Sequence, residues 1–408
     1  MGVTVTSSFS LDDVVAANAE SLKNSLALLR PFLKANIPLN LKILVIKATV
    51  IPKALYGGEL FGCDKARATK IQTAVNPFIR LALTGSEKSK SGPNIALWRE
   101  AGIAPLYAQA SCRRIRLYWK SASLKTWIAI LYKSKFINKV KGVAWFAKTA
   151  NMLARKPLKA MKESTLVTAS QLSAMRDMLW STFEPKPTAD AGKHISFNRY
   201  LQFVSSSSYI NTNVTDAEEI MGITILARFR TSAYVTATAL AKARLLPMEF
   251  ANKCPCCLDT VEETYEHILW KCKRWRRRRA RMMRAILQSV VNLRLGSSSI
   301  EDYFKSCSAT DAATLLLGGK VVDTPLTLCP YWQGDRKLAA AAAQNATVIV
   351  EWDHEKPLCT HIAKFLGSIH PKRLKLLWSR QGNITTSSQS LTTDTAALAG
   401  SPLAESGE

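Results

Sequence analysis

Cys254, Cys257, His267 and Cys272 follow the spacing C-x2-C-x9-H-x4-C. Three soft thiolates and one imidazole suit a closed tetrahedral Zn²⁺ site, which leaves no position for a reactive water and is therefore structural. The two-residue gap between Cys254 and Cys257 lets one tight turn aim both sulfurs at a single point, and Pro255 stiffens that turn. Thr260 with Glu263 fits a capping box, predicting a short helix that starts there and presents His267 from its body. Cys272 then closes the site past the helix end. Cys256 is a spare thiol and an alternative ligand to Cys257. Metal binding of this kind supplies on the order of 10 kcal/mol of folding energy to a segment too small to own a core.

The chain runs from Cys272 straight into Lys273-Arg274-Trp275-Arg276-Arg277-Arg278-Arg279-Ala280-Arg281, and Lys273 to Arg284 holds eight basic residues in twelve and no acidic one. Successive residues advance about 100° around a helix, so Arg276 to Arg279 surround the axis and cannot all find acidic partners on one neighbouring surface. Their repulsion calls for an external anion. Lys273, Arg274, Arg276, Arg277, Arg278, Arg279 and Arg281 are the expected phosphate contacts, with Trp270 or Trp275 stacking on bases. A solvated helix face or an import signal is the blander account of such a run taken alone.

Other chemistries find little support. A polymerase or two-metal nuclease needs grouped carboxylates for Mg²⁺. The single Asp-Asp pair, Asp12-Asp13, follows Ser10-Leu11 and reads as a helix N-terminus, where acids oppose the dipole. Asp323 with Asp335-x-Lys337 loosely resembles a restriction-type nuclease arrangement, but the flanking Gly334 and alanine tract predict loop and helix instead of the strand that chemistry needs. Glu351-Trp352-Asp353-His354-Glu355 reads as a solvated strand end or turn. His194, His361 and His370 have no companions that suggest catalysis. No phosphate-binding glycine loop is present.

The elements that must position these residues are mainly helical. Apolar spacing predicts helices over 14 to 34, from about Asn40 until Pro52 breaks or kinks it, over 66 to 83, Ile95 to Ala101 and Pro105 to Lys133. Between 134 and 200 the pattern loosens around Pro157, Pro185 and Pro187. Helical periodicity returns over 216 to 246 and from Met282 to Leu293, with further helices expected within 300 to 317 and 335 to 370. The boundaries that follow are a helical region over 1–135, a loosely ordered helical connection over 136–215, and a helical lead-in with the metal motif and basic helix over 216–293. A C-terminal helical region over 294–380 and a disordered tail over 381–408 complete the chain.

At 408 residues, with 47% hydrophobic residues and a net charge of +26 from 56 Lys and Arg against 30 Asp and Glu, most of the chain should fold and meet a polyanion. RNA or DNA is the expected partner. Membrane is the weaker candidate, since the longest apolar runs fall well short of the roughly 20 residues a spanning helix needs. Four of the nine cysteines crowd into the metal motif. The scattered remainder read as buried thiols in a reducing compartment, so nuclear or cytoplasmic residence is expected.

Ile51-Pro52-Lys53-Ala54-Leu55-Tyr56-Gly57-Gly58-Glu59-Leu60-Phe61-Gly62 resembles the segment after the catalytic palm in reverse transcriptases of non-LTR (LINE-type) retrotransposons. Asn76 to Leu83, Ala96 to Leu106 and Arg228-Phe229-Arg230-Thr231 are similar in order and character, and the cysteine-histidine element resembles the zinc knuckle of those polyproteins. The resemblance covers roughly residues 1 to 285. It implies a helical thumb-like bundle, then a CCHC zinc knuckle, that together grip template RNA or target DNA. The aromatic-x-Asp-Asp motif of that family is absent, so no polymerase activity is expected, and the resemblance implies a C-terminal portion that works with a separate catalytic half. The competing readings are a host protein whose zinc module mediates protein or RNA contacts, and a nuclease using Asp323, Asp335 and Lys337.

Overall fold

The computed structural model describes residues 11–87, 92–123, 144–153, 169–181, 208–292, 308–317, 320–321, 350–351 and 356–381. The protein is mainly α-helical. Its helices are α1 (Leu11–Lys34), α2 (Leu39–Val45), α3 (Ile51–Ala54), α4 (Gly58–Phe61), α5 (Lys65–Thr84), α6 (Asn94–Glu100) and α7 (Leu106–Ser123). They continue with α8 (Ala144–Leu153), α9 (Ala169–Ser181), α10 (Ala217–Arg230), α11 (Ala237–Lys242), α12 (Arg276–Asn292), α13 (Ala309–Leu316) and α14 (Lys356–Arg380). Lys320–Val321 pairs antiparallel with Val350–Glu351. Asp323, Asp335 and Lys337, and the predicted tail from 382 onward, lie outside the described residues.

The chain divides into two compact units that interleave along the sequence: 1–32, 43–79 and 101–188 in the first, 33–42, 80–100 and 189–408 in the second. In the first, Ala108, Ile115, Met152, Leu153, Met175 and Leu179 form an apolar core between α7, α8 and α9. Gly62 lets α4's end approach α7 so closely that a Cβ there would sit 2.3 Å from the Ala110 carbonyl oxygen.

The Tyr56-Gly57 segment turns sharply, with Gly57 at φ 67°, and neighbouring side chains gather the carbonyls that the turn leaves outside regular helix. Asn18 donates to Tyr56 O at 2.8 Å, Arg113 to Leu55 O at 2.9 Å, and Arg114 to Leu60 O at 3.0 Å and Gly62 O at 2.6 Å. Pro52 does not end its helix. A π-turn over Ile46–Val50 precedes it, with Ile51 N–H bonded to Ile46 O, and the helical path continues to Ala54. A proline lacks its own donor and crowds the carbonyl four residues back, and the wider turn relieves that crowding.

In the second unit α10 and α14 run antiparallel across a glycine contact. A Cβ on Gly222 would lie 1.8 Å from Ala363 O, and one on Gly367 1.8 Å from Glu218 O. The last helix therefore extends past Pro371 to Arg380, ten residues beyond its predicted end. At its base Glu100 and Arg230, each 1% exposed at the side chain, pair at 2.6 Å. Tyr209 also donates to Glu100, and Arg230 donates to Leu317 O at 2.6 Å. The pair joins two segments that are 130 residues apart.

Candidate metal centre and the basic face beside it

The turn that carries Cys254 and Cys257 is closed by Leu258 N–H to Cys254 O at 2.9 Å and Cys254 N–H to Asp259 O at 3.0 Å. Leu258 completes it at φ 65°, a left-handed conformation that glycine adopts more readily. The helix that presents His267 starts later than the predicted capping box allows: Thr264, not Thr260, caps it, its hydroxyl accepting from His267 N–H at 3.2 Å. Glu263 takes no part in capping because it is buried and engaged elsewhere.

His267 to Lys271 form a π-turn, closed by Cys272 N–H to His267 O at 2.6 Å. Five residues of ordinary α-helix would put His267 and Cys272 roughly 140° apart around the axis. The wider turn brings both side chains to one face.

The outcome is a cluster in which one ligand atom from each of Cys254, Cys257, His267 and Cys272 lies within 4.8 Å of the others, so the group could hold a metal ion. Cys254, His267 and Cys272 are buried. Hydrogen bonds from the Cys256 and Cys272 thiols hold the Cys254 pKa far below its ordinary value. Cys272 is pushed up by its bond to Cys254, and Cys257 by burial. A divalent cation would let Cys254, Cys257 and Cys272 all be thiolates together. Backbone amides are already in place: Cys257 N–H toward Cys254, Asp259 N–H toward Cys257 and Arg274 N–H toward Cys272.

Cys256 points to a second group with Cys254 and Glu263. Its thiol donates to Glu263 Oε1 at 3.8 Å, and its bond to Cys254 raises its pKa. Glu263 itself is the centre of a buried network that no sequence signal announced. Arg373 of α14 donates Nε to Glu263 Oε1 at 2.9 Å and Nη2 to Oε2 at 2.5 Å, and Ala237 N–H donates to Oε2 at 2.6 Å. Arg373 also donates to Tyr234 Oη at 3.3 Å and to Val235 O at 3.0 Å. Tyr234 stacks on Phe229 with ring centroids 4.1 Å apart and meets His370 Nδ1 at 3.1 Å. Burial, with Arg228 and Arg373 nearby, holds His370 neutral, its pKa well below 6.5.

The basic run separates into two populations. Arg279 packs inward, donating to Leu269 O at 3.3 Å and Cys272 O at 3.2 Å and lying over the Trp270 ring at 6.0 Å. It thereby ties α12 to the carbonyl end of the π-turn, where a cation is favoured. Arg278 donates to Ser368 O of α14 at 3.2 Å. Both thus have internal acceptors, contrary to the expectation that the whole run awaits an external anion. Trp275 is 2% exposed, so its ring is not offered to a base. Trp270 is half-buried. Lys273, Arg274, Arg276, Arg277 and Arg281 are exposed, as is Arg284. Of these, among the described residues, only Lys273 has an acidic partner, Asp259 at 3.2 Å.

Compared with known protein families, curated proteins and solved structures, the chain matches none. No helix among the described residues is long and apolar enough to cross a membrane.

Proposed function

We propose that the chain is a nucleic-acid-binding protein derived from the thumb and zinc-knuckle region of a non-LTR retrotransposon reverse transcriptase, without polymerase activity of its own. One observation carries the binding role: α12 opens with Arg276, Arg277, Arg278 and Arg279 and has no acid in its first turn. The N-terminus of a helix already bears about half a positive charge, and helix stability alone would favour acids there. Arginine in that place costs stability and concentrates positive potential on an anion site. Lys273, Arg274, Arg276, Arg277 and Arg281 would contact phosphates of RNA or DNA.

Zn²⁺ is the ion best suited to Cys254, Cys257, His267 and Cys272. The 3.4 Å between Cys257 Sγ and His267 Nε2 is close to the edge of about 3.6 Å expected between sulfur and nitrogen ligands of a tetrahedral zinc. Bound there, zinc supplies cross-linking of the chain and no reaction. Its role would be to hold Cys272, and with it the start of α12, in place.

Salt titration tests the reading. Arg276→Gln, Arg277→Gln and Arg281→Gln together should lower the slope of log K against log salt by about 0.7 to 0.9 for each phosphate no longer neutralised. An unchanged slope would place binding elsewhere. A second reading, contact with a protein partner, has its own support in Leu258 and Val261, two apolar side chains on the metal loop that are each 45% exposed. Partners that survive RNase and DNase treatment and are no longer captured by Leu258→Ser/Val261→Ser would favour it.

A further inference from the structure

Helix α14 is as one-sided in charge as α12. Its 25 residues include Lys356, Lys364, Lys372, Arg373, Lys375 and Arg380 and not one acid. Two acid-free cationic helices pack against each other, and a cation bridges them: Arg278 donates to the Ser368 carbonyl. Different partners absorb some of this charge. Arg373 is buried on Glu263, and Lys364 faces Asp216 at 3.5 Å and Glu219 at 3.8 Å. Arg380 lies in the last turn, where the helix dipole stabilises it. Lys372 and Lys375 have none of these explanations. Both are exposed and more than a turn from the helix end, and no acid pairs with either among the described residues.

Helical periodicity places them relative to the α12 contact. Lys372 and Lys375 follow Ser368 by four and seven residues, so they share its face of α14 within roughly 40°. Across the contact, Arg281 follows Arg278 by three residues, about 60° around α12. The exposed arginines of α12 and the lysines of α14 therefore flank one crossing. Three residues past Lys375 stands Trp378, 40% exposed, on the adjoining strip of the same helix. An exposed tryptophan beside lysines is the pairing that single-stranded nucleic acid uses: cations along the backbone and a ring under a base.

We infer that the nucleic-acid surface continues from α12 onto the C-terminal half of α14, where Lys372 and Lys375 bind phosphates of a single strand and Trp378 stacks on an unpaired base. The inference rests on the binding role proposed above and supplies the stacking ring that the buried Trp275 does not. The partner is a phosphodiester strand with at least one unpaired base, RNA or DNA.

The test uses the full chain and fluorescein-labelled single-stranded oligo-dT and oligo-U, with a duplex of equal length as the control. Lys372→Gln/Lys375→Gln should lower the log-log salt slope by about 1.4 on single strands, from about 0.7 per phosphate. Trp378→Ala should weaken single-strand binding about 5- to 100-fold with the slope unchanged, and Trp378→Tyr should restore most of the affinity. Binding by both variants equal to the parent protein, while Arg277→Gln/Arg281→Gln still lowers the slope, would overturn this inference and leave the α12 reading standing. Equal weakening on duplex and single strand in Trp378→Ala would overturn the stacking role. A normal slope in Arg277→Gln/Arg281→Gln beside weak binding in the α14 variants would confine binding to α14 and overturn both the α12 reading and the continuity of the surface. Absence of binding by the parent protein would overturn both.

Discussion

Both units bury an arginine beside a glycine-mediated helix contact, but they satisfy it differently. In the first unit Arg114, 3% exposed, donates to the Leu60 and Gly62 carbonyls and to Thr149 Oγ1 at 2.8 Å. In the second, Arg230 and Arg373, each 1% exposed, meet the carboxylates of Glu100 and Glu263. Carbonyls are dipoles fixed by the backbone, whereas a buried carboxylate is a full charge that stays favourable only while its partner is present. The first unit is therefore expected to lose stability in graded steps. The second depends on a few charged groups, and the thiol cluster beside Glu263 adds more of them.

Metal removal should separate the two units most. Stripping a zinc that holds Cys254, Cys257, His267 and Cys272 should cost on the order of 10 kcal/mol. Hydrogen exchange should then show weakened protection over 254–292 with α4 and α7 unaffected; a uniform response, or none, would break the contrast. Next in size, Glu263→Gln should cost about 3 to 5 kcal/mol in denaturant unfolding because it strands the Arg373 charge. Arg114→Met should cost about 1 to 3 kcal/mol. Glu263→Gln/Arg373→Met should cost less than the sum of its single changes.

Gly222→Ala and Gly62→Ala probe the feature the units share. Each Cβ would meet a backbone oxygen, at 1.8 Å and 2.3 Å, so both should destabilise by about 1 to 3 kcal/mol, Gly222→Ala the more. The smallest effect concerns pH. His370 is held neutral in the folded protein, so below its ordinary pKa of 6.5 the unfolded chain binds the extra proton first. Stability must fall as pH drops through that value, by up to about 1.4 kcal/mol per pH unit. His370→Gln should remove that increment from the slope measured between about pH 6.5 and 5; identical slopes would show that His370 is not held neutral.

Much of the helix pattern was legible because apolar spacing is a local property. Val14, Val15, Leu22 and Leu33 are buried along α1 as their periodicity requires, and α5 covers the interval predicted for it. Pro52 was expected to break or kink its helix, and the distortion takes the form of a π-turn over Ile46–Val50 ahead of it, with the helix ending at Ala54. Glu263 misled because Thr260 and Glu263 have the spacing of a cap, yet a buried guanidinium 110 residues away competes for the same carboxylate. The charged side of α14 was missed altogether. Its lysines and Trp378 carry no motif, and their meaning depends on the packing of α12.

What the residues determine by themselves is confined to short range: four metal-ligand side chains in 19 residues, helices from spacing, and an excess of positive charge. These survive any arrangement of the rest because ligand reach and helix periodicity act over a few residues. Only the tertiary structure decided which cations are spent inside and which remain for a partner. Arg278 and Arg279 differ from Arg277 and Arg281 in nothing but the face they occupy. For Arg278 the acceptor is Ser368 O, 90 residues downstream, on a helix that packs closely on α10 because Gly222 and Gly367 have no side chain to keep it away.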